Sequence, residues 1–294
     1  MKKIFLSIIF SCIVVTALAQ NQKFNISLGS GLFNEDFNWS IAGNMEGKAP
    51  NVLSELIWTN LKGTQYNITA EYFLTPKIAI NADFLYGKIN SGTANDADYL
   101  EDNRKQSVFD ETFLSNKGHF QHINLNLLLK KDLSDQLILN ALIGYDNLIQ
   151  ELYVLEDPGN PATEGLNSYY KNHWYGAQLG FNLKYLMGKF SITGKVRSGY
   201  YKYYASANWN LIPNFEKPIS FEHKANAYKY SGSLHLAYSI NKQLEVNSAL
   251  NFTYGASFAG KDQAYFTDGS IATTKFNGAE LKSKYVQLGL SLYF

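Results

Sequence analysis

Apolar and polar positions alternate along almost the whole chain with a period of two. In the last ten residues Val286, Leu288, Leu290, Leu292 and Phe294 fall on one face, and Gln287, Gly289, Ser291 and Tyr293 on the other. Leu244, Val246, Leu250, Phe252 and Tyr254 oppose Glu245, Asn247, Asn251 and Thr253 in the same way. So do Ile123, Leu125, Leu127 and Leu129 against His122, Asn124 and Asn126, and Phe190, Ile192 and Val196 against Ser191, Thr193, Lys195 and Arg197. Ile78, Ile80, Phe84 and Tyr86 repeat it against Asn81 and Asp83. Successive side chains of a strand point to opposite faces, so each stretch is a strand with one apolar and one polar side. Segments of about ten such residues with Tyr and Trp near their ends are the pattern of a transmembrane β-barrel. A closed barrel pairs every backbone N–H and C=O in lipid without leaving an edge. A soluble β-sandwich alternates too, but it would not need aromatic strand ends or an export signal.

The turns set the expected strand number. All six prolines (50, 76, 158, 161, 213 and 218) lie between alternating runs, where a missing N–H does no harm to a ladder. Reading between the breaks predicts an all-β, ten-stranded antiparallel barrel. Its strands cover roughly 23–38, 51–74, 77–91, 118–133, 136–155, 169–186, 190–209, 221–240, 243–260 and 279–294. Tight turns are expected near Thr75-Pro76, Ser134-Asp135, Met187-Gly188 and Asn241-Lys242, and long polar loops at 39–50, 92–117, 156–168, 210–220 and 261–278. Short turns on the periplasmic side and long loops outside follow the barrel rule. Several strands exceed the roughly 9–11 residues needed to cross a bilayer, so they should project as an extracellular rim.

The N-terminus changes the setting. Lys2 and Lys3 precede an apolar run from Ile4 to Leu18, and Ala17-Leu18-Ala19 is a small-x-small cleavage site. Residues 1–19 therefore read as a secretory signal peptide and 20–294 as one mature barrel domain. The single Cys, Cys12, falls inside the signal, so the mature chain offers no disulfide framework and no Cys-based zinc site. Exported and disulfide-free, the chain is expected in the outer membrane of a Gram-negative bacterium. The chain carries 26 Lys+Arg against 25 Asp+Glu, a net charge of +1, which speaks against nucleic acid as a partner. A C-terminal strand ending in Phe294 resembles the signal read by the barrel-insertion machinery, a second expected partner besides the membrane.

Inward candidates are Glu71, Asp83, His122, Lys130, Lys184, Lys195, Arg197 and Glu245. A ten-stranded barrel is narrow, and small barrels fill with side chains. Paired charges would plug the lumen, and unpaired ones would offer a proton or ion path. The stretch at 92–104 carries Asp96 and Asp98, followed by Glu101 and Asp102. It has three readings: solvated loop charge; a calcium site, though the EF-hand's central Gly and closing Glu are missing; or a carboxylate pair that holds a water nucleophile. No metal or other cofactor is expected.

The chain resembles the omptins, ten-stranded outer-membrane endopeptidases, and more closely the omptin-like Protochlamydia outer-membrane proteins. Ile26-Ser27-Leu28-Gly29 matches the first omptin strand, Leu53-Ser54-Glu55-Leu56-Ile57-Trp58 the Ser-Gln-Leu-x-Trp stretch, Asp96-Ala97-Asp98-Tyr99 the Asp-x-Asp-Trp, and Ser198-Gly199 the Ser-Gly of the seventh strand. The resemblance implies that Asp96 and Asp98 are the catalytic Asp pair. It also implies an Asp-x-His at the end of the seventh strand, whose His takes the water's proton. There the chain offers Asn208 and Asn210 in one alignment and Ala207 and Trp209 in the other. None of these is a base near neutral pH. General-base help is worth about 10²–10⁴-fold, so little peptidase activity is expected. Of the five His, His119, His173 and His223 fall near outer strand ends, and Glu222-His223 is the best substitute base, with only one of the two able to face the cleft. Lipopolysaccharide is a further partner that the resemblance implies, with Lys171, Lys202, Lys224 and Lys229 near the right height. Tyr169-Tyr170 and Tyr200–Tyr204 suggest either a contact surface for an extracellular ligand or an aromatic girdle. Three functions remain in view: a silent omptin-like barrel with a structural or extracellular binding role, an aspartate-dependent endopeptidase with a relocated base, and a small passive channel.

Overall fold

The computed structural model describes residues 23–294; the signal peptide expected at 1–19 lies outside the described residues. Twelve strands form among the described residues: β1 (Phe24–Ile41), β2 (Ser54–Thr75), β3 (Ile78–Glu101), β4 (Lys105–Leu114), β5 (Gly118–Asp132), β6 (Leu137–Leu155), β7 (Asn167–Met187), β8 (Phe190–Asn208), β9 (Phe221–Ser239), β10 (Leu244–Ser257), β11 (Gly260–Tyr265) and β12 (Ile271–Tyr293). All pairings are antiparallel, and β1 pairs with β12 from Asn25↔Tyr293 to Ile41↔Phe276, which closes the ring.

The count is twelve rather than ten because two walls of the barrel are each built from two strands end to end. β4 and β5 both pair with β3, and β10 and β11 both lie between β9 and β12. The first break, Ser115–Lys117, sits between glycines at positive φ, Gly92 (+155°) and Gly118 (+131°). A Cβ on Gly118 would stand 2.3 Å from the Glu151 carbonyl oxygen, so only glycine lets β5 start that close to β6. The segments 92–117 and 261–278, expected as loops, are therefore mostly ladder: hairpin β3–β4 and hairpin β11–β12.

The tight turns fall where expected, and side chains close them. The hydroxyl of Thr75 accepts from the amides of Lys77 and Ile78, Ser134 from Gln136 and Leu137, and Asn241 from Gln243 and Leu244. Such turns offer local partners to amides that the ladder leaves open.

The apolar face changes sides partway up the wall. In the lower part of β1, Leu28 and Leu32 point outward, 51 % and 61 % exposed, while Ser27 and Gly29 point inward. Above Leu32 the outward positions become Asn34, Asp36 and Asn38, and the inward ones Phe33, Glu35, Phe37 and Trp39, all four buried. β2 does the same: Tyr66, Ile68, Tyr72 and Leu74 face outward low in the wall, and Leu56, Trp58 and Leu61 are buried inside higher up. The lower barrel is thus an apolar cylinder with a polar lumen, as lipid demands. The upper barrel is a water-exposed cylinder around an aromatic core of Phe37, Trp58, Tyr170, Trp174, Tyr203 and Phe276.

Candidate functional site

Asp96 and Asp98 lie high on β3, beyond the change of sides. Asp96 pairs across the ladder with Leu56 and Asp98 with Ser54, and Leu56 and the neighbouring Trp58 belong to the inner core. Directly opposite residues on neighbouring strands share a face. Both carboxylates therefore look toward the lumen. On the other flank Asp96 meets Glu111 and Asp98 meets Phe109. Burial and the nearby Asp98 charge push the Asp96 carboxyl up to about 7. Asp98 is raised too, by burial, against a hydrogen bond from the Ser54 hydroxyl.

The opposite face of this hairpin is tied down. Glu55 accepts from the Arg104 guanidinium at 2.7, 3.0 and 2.7 Å and from the Tyr99 hydroxyl at 2.9 Å, beside a small cluster of Val52, Ala97 and Tyr99. The Asp102 carboxylate caps the Asn51 amide at 2.7 Å. Among the described residues no group of three or more Asp, Glu, His or Cys is arranged to hold a metal ion.

At the end of β8 the inward positions are Tyr201, Tyr203, Ala205 and Ala207, all buried, and Trp209 packs on Phe221. Asn210 ties loops together: its carbonyl accepts from the Asn167 amide and the Ser168 hydroxyl, and its amide donates to Gly165. The positions that could have carried an Asp-x-His are filled by small or apolar packing and by a loop clamp.

His223 does turn inward, and Glu222 turns outward to Tyr204, Lys224 and Tyr265. His223 is fully buried. Its Nδ1 lies 2.8 Å from the Tyr170 hydroxyl, which in turn contacts the Tyr203 hydroxyl at 2.6 Å. Its Nε2 stands 3.1 Å from Asp262, out of line for a hydrogen bond, and Asp262 accepts from Thr274 at 2.9 Å. Trp39, Phe221 and Phe276 surround the ring. Burial pushes the imidazole below its usual value, against the pull of the Asp262 carboxylate. An Asp–His couple is present, but both ring nitrogens face protein groups. Among the described residues no histidine makes a hydrogen bond or ion pair with Asp96 or Asp98. The sequence reading missed Asp262 and Tyr170, one inside a segment taken for a loop and the other among the Tyr-rich stretches.

Other expected positions sort by parity. Tyr170, Tyr201 and Tyr203 belong to the core, while Tyr200 is exposed on the wall. Lys229 is not on the outer wall: it is buried in the lumen, 2.6 Å from Asp146, which also binds His122 at 2.8 Å. Glu71, Asp83, Lys130, Lys184, Lys195, Arg197 and Glu245 all line a lower cavity.

The comparisons agree with this picture. A family model described as Protochlamydia outer membrane protein matches residues 27–294. No curated protein matches the sequence. Among solved structures the chain is similar to the outer membrane protease OmpT from Escherichia coli, with a TM-score of 0.74 and 13 % identity, covering 94 % of this chain and 98 % of that one. It also aligns with OprG from Pseudomonas aeruginosa, at a TM-score of 0.38 and 12 % identity, over 93 % of this chain and 97 % of that one. At that identity the likeness to OmpT is one of fold.

Proposed function

The chain belongs to the Protochlamydia outer membrane protein family and is an outer-membrane β-barrel, and we propose that it is an omptin-like barrel without protease activity, serving envelope structure or binding at its rim. One observation carries this reading. At the positions the resemblance assigns to Asp and His the chain has Ala207 and Trp209 in one alignment and Asn208 and Asn210 in the other; Ala207 lies in the buried core, Trp209 packs on Phe221, and Asn210 clamps the neighbouring loops. A water nucleophile needs a base within hydrogen-bond reach. The competing reading, an aspartate-dependent endopeptidase with a relocated base, draws on the Asp262–His223 couple and the lumen-facing Asp pair.

Lipopolysaccharide is the lipid partner in this proposal. Lys284, Asn34 and Lys62 stand side by side across β12, β1 and β2. They line an outer groove of about 510 Å³ together with Leu32, Phe252 and Val286. Ammonium groups above an apolar groove suit a phosphorylated lipid. In the proposal the barrel-insertion machinery reads the strand that ends at Phe294.

The test is direct. The mature chain, refolded in detergent with lipopolysaccharide and shown to be heat-modifiable, is incubated with a diverse peptide library and the products are read by mass spectrometry. No cleavage is expected. Cleavage that disappears in both Asp98→Asn and His223→Ala would establish the endopeptidase instead.

A further inference from the structure

The lower lumen is a cavity of about 850 Å³ with Lys23, Leu74, Thr75 and Pro76 at its mouth, on the side of the tight turns. Its other end shares Asp83, Lys195 and Arg197 with a smaller cavity of about 130 Å³. The Lys229–Asp146–His122 node crosses the lumen there, and the aromatic core lies beyond it. The cavity is a cup with its mouth on the side of the tight turns.

Apart from Lys23 at the mouth, its charges are segregated. Lys130, Lys184, Lys195 and Arg197 come from β5, β7 and β8. Glu71, Asp83 and Glu245 come from β2, β3 and β10. In the closed ring these are two continuous arcs, one cationic and one acidic. One ion pair, Arg197–Asp83 at 3.7 Å, joins the arcs near the cup's inner end. Among the described residues Lys184, Lys195, Glu71 and Glu245 form no ion pair within 4.0 Å. Glu71 and Glu245 accept hydrogen bonds from Asn25 and Tyr293, which hold the two carboxylates in place. The rest of the lining is rich in amides and hydroxyls.

We propose that this cup is a binding site for a short zwitterionic peptide from the periplasm. Its carboxylate would meet Lys184 and Lys195, its ammonium Glu71 and Glu245, and its backbone the amides and hydroxyls of the lining. A ligand with one charge would satisfy one arc and leave the other unpaired. An apolar ligand would strand both. The volume lies within the roughly 300–1,000 Å³ of small-ligand sites.

The experiment uses the full barrel refolded in detergent, with its fold confirmed by heat modifiability. Titration calorimetry compares trialanine, N-acetyl-trialanine and trialanine amide. Trialanine is expected to bind saturably, and blocking either end to weaken binding at least tenfold. In Lys184→Gln/Lys195→Gln, amidation is expected to cease to matter. In Glu71→Gln/Glu245→Gln, acetylation is expected to cease to matter. The peptide series on the unmodified barrel stands even if a variant fails to refold. Absence of trialanine binding, or equal binding of all three peptides, would overturn the proposal. So would binding that ignores these four side chains but responds to Asp98→Asn at the rim.

Discussion

Burial makes Asp96 a weak acid at the rim of the barrel. Its carboxyl is held up to about 7, first by desolvation and then by the Asp98 charge. Between the ordinary carboxylate range and pH 7 the folded chain keeps a proton that the unfolded chain has lost, so this residue makes stability fall as pH rises through that window. Asp96→Asn is therefore expected to flatten the pH dependence of the heat-modifiability midpoint between pH 4 and 7 and to raise the midpoint at pH 8. An unchanged slope would show that Asp96 is solvated. The sequence reading placed Asp96 and Asp98 in a loop at 92–117, and only the resemblance paired them as candidate site residues; the strand that turns them toward the lumen is seen in the ladder with β2. The burial of Tyr170, Tyr201 and Tyr203 was not legible either. Inward and outward tyrosines alternate in one run, and a tyrosine suits both a membrane girdle and a hydrogen-bonded core. Only the neighbours decide, and for Tyr170 they are His223 and Trp39.

The β3–β4 hairpin behaves as an element of its own. β4 pairs with β3 along its length but with β6 only at Leu114↔Leu155, so its far edge is free. Its tip is held by Glu55, which collects Arg104 and Tyr99, and by Asn51, which bonds Asp102 and Asn103. Arg104 is half exposed and Glu55 buried, so losing the charge is felt mostly at the tip. Glu55→Gln is expected to speed tryptic cleavage after Arg104 or Lys105 severalfold, with the barrel still heat-modifiable. Equal cleavage rates would mean that the ladder and the Asn51 clamp hold the tip without Glu55. The sequence hid this hairpin for a physical reason. Lys105 to Glu111 are exposed on both faces, so no apolar contrast marks a strand. Between Asp98 and Tyr99 the register also shifts, which breaks the alternation. β11 was hidden in a similar way, since Lys261, Asp262 and Gln263 read as a polar loop until Asp262 is seen to face His223.

At the scale of the molecule the barrel answers to two solvents. Its lower wall turns apolar side chains to lipid, and its upper wall turns them away from water. The upper core closes the lumen, so planar bilayers holding the protein are expected to show no steady unitary conductance. Trp58→Ala with Tyr170→Ala is expected to open a leak if the truncated core still folds. Steady conductance by the unmodified barrel would favour the passive channel. The change of sides also gives the two halves different responses to temperature. The rim is held by withdrawing apolar surface from water, a force that weakens on cooling. The lower wall exchanges lipid for protein and draws little on that force. Cold should therefore loosen the half that meets the outside of the cell while the half in the membrane stays as it was, so that low temperature, and not only heat, sets a limit on what the rim can hold.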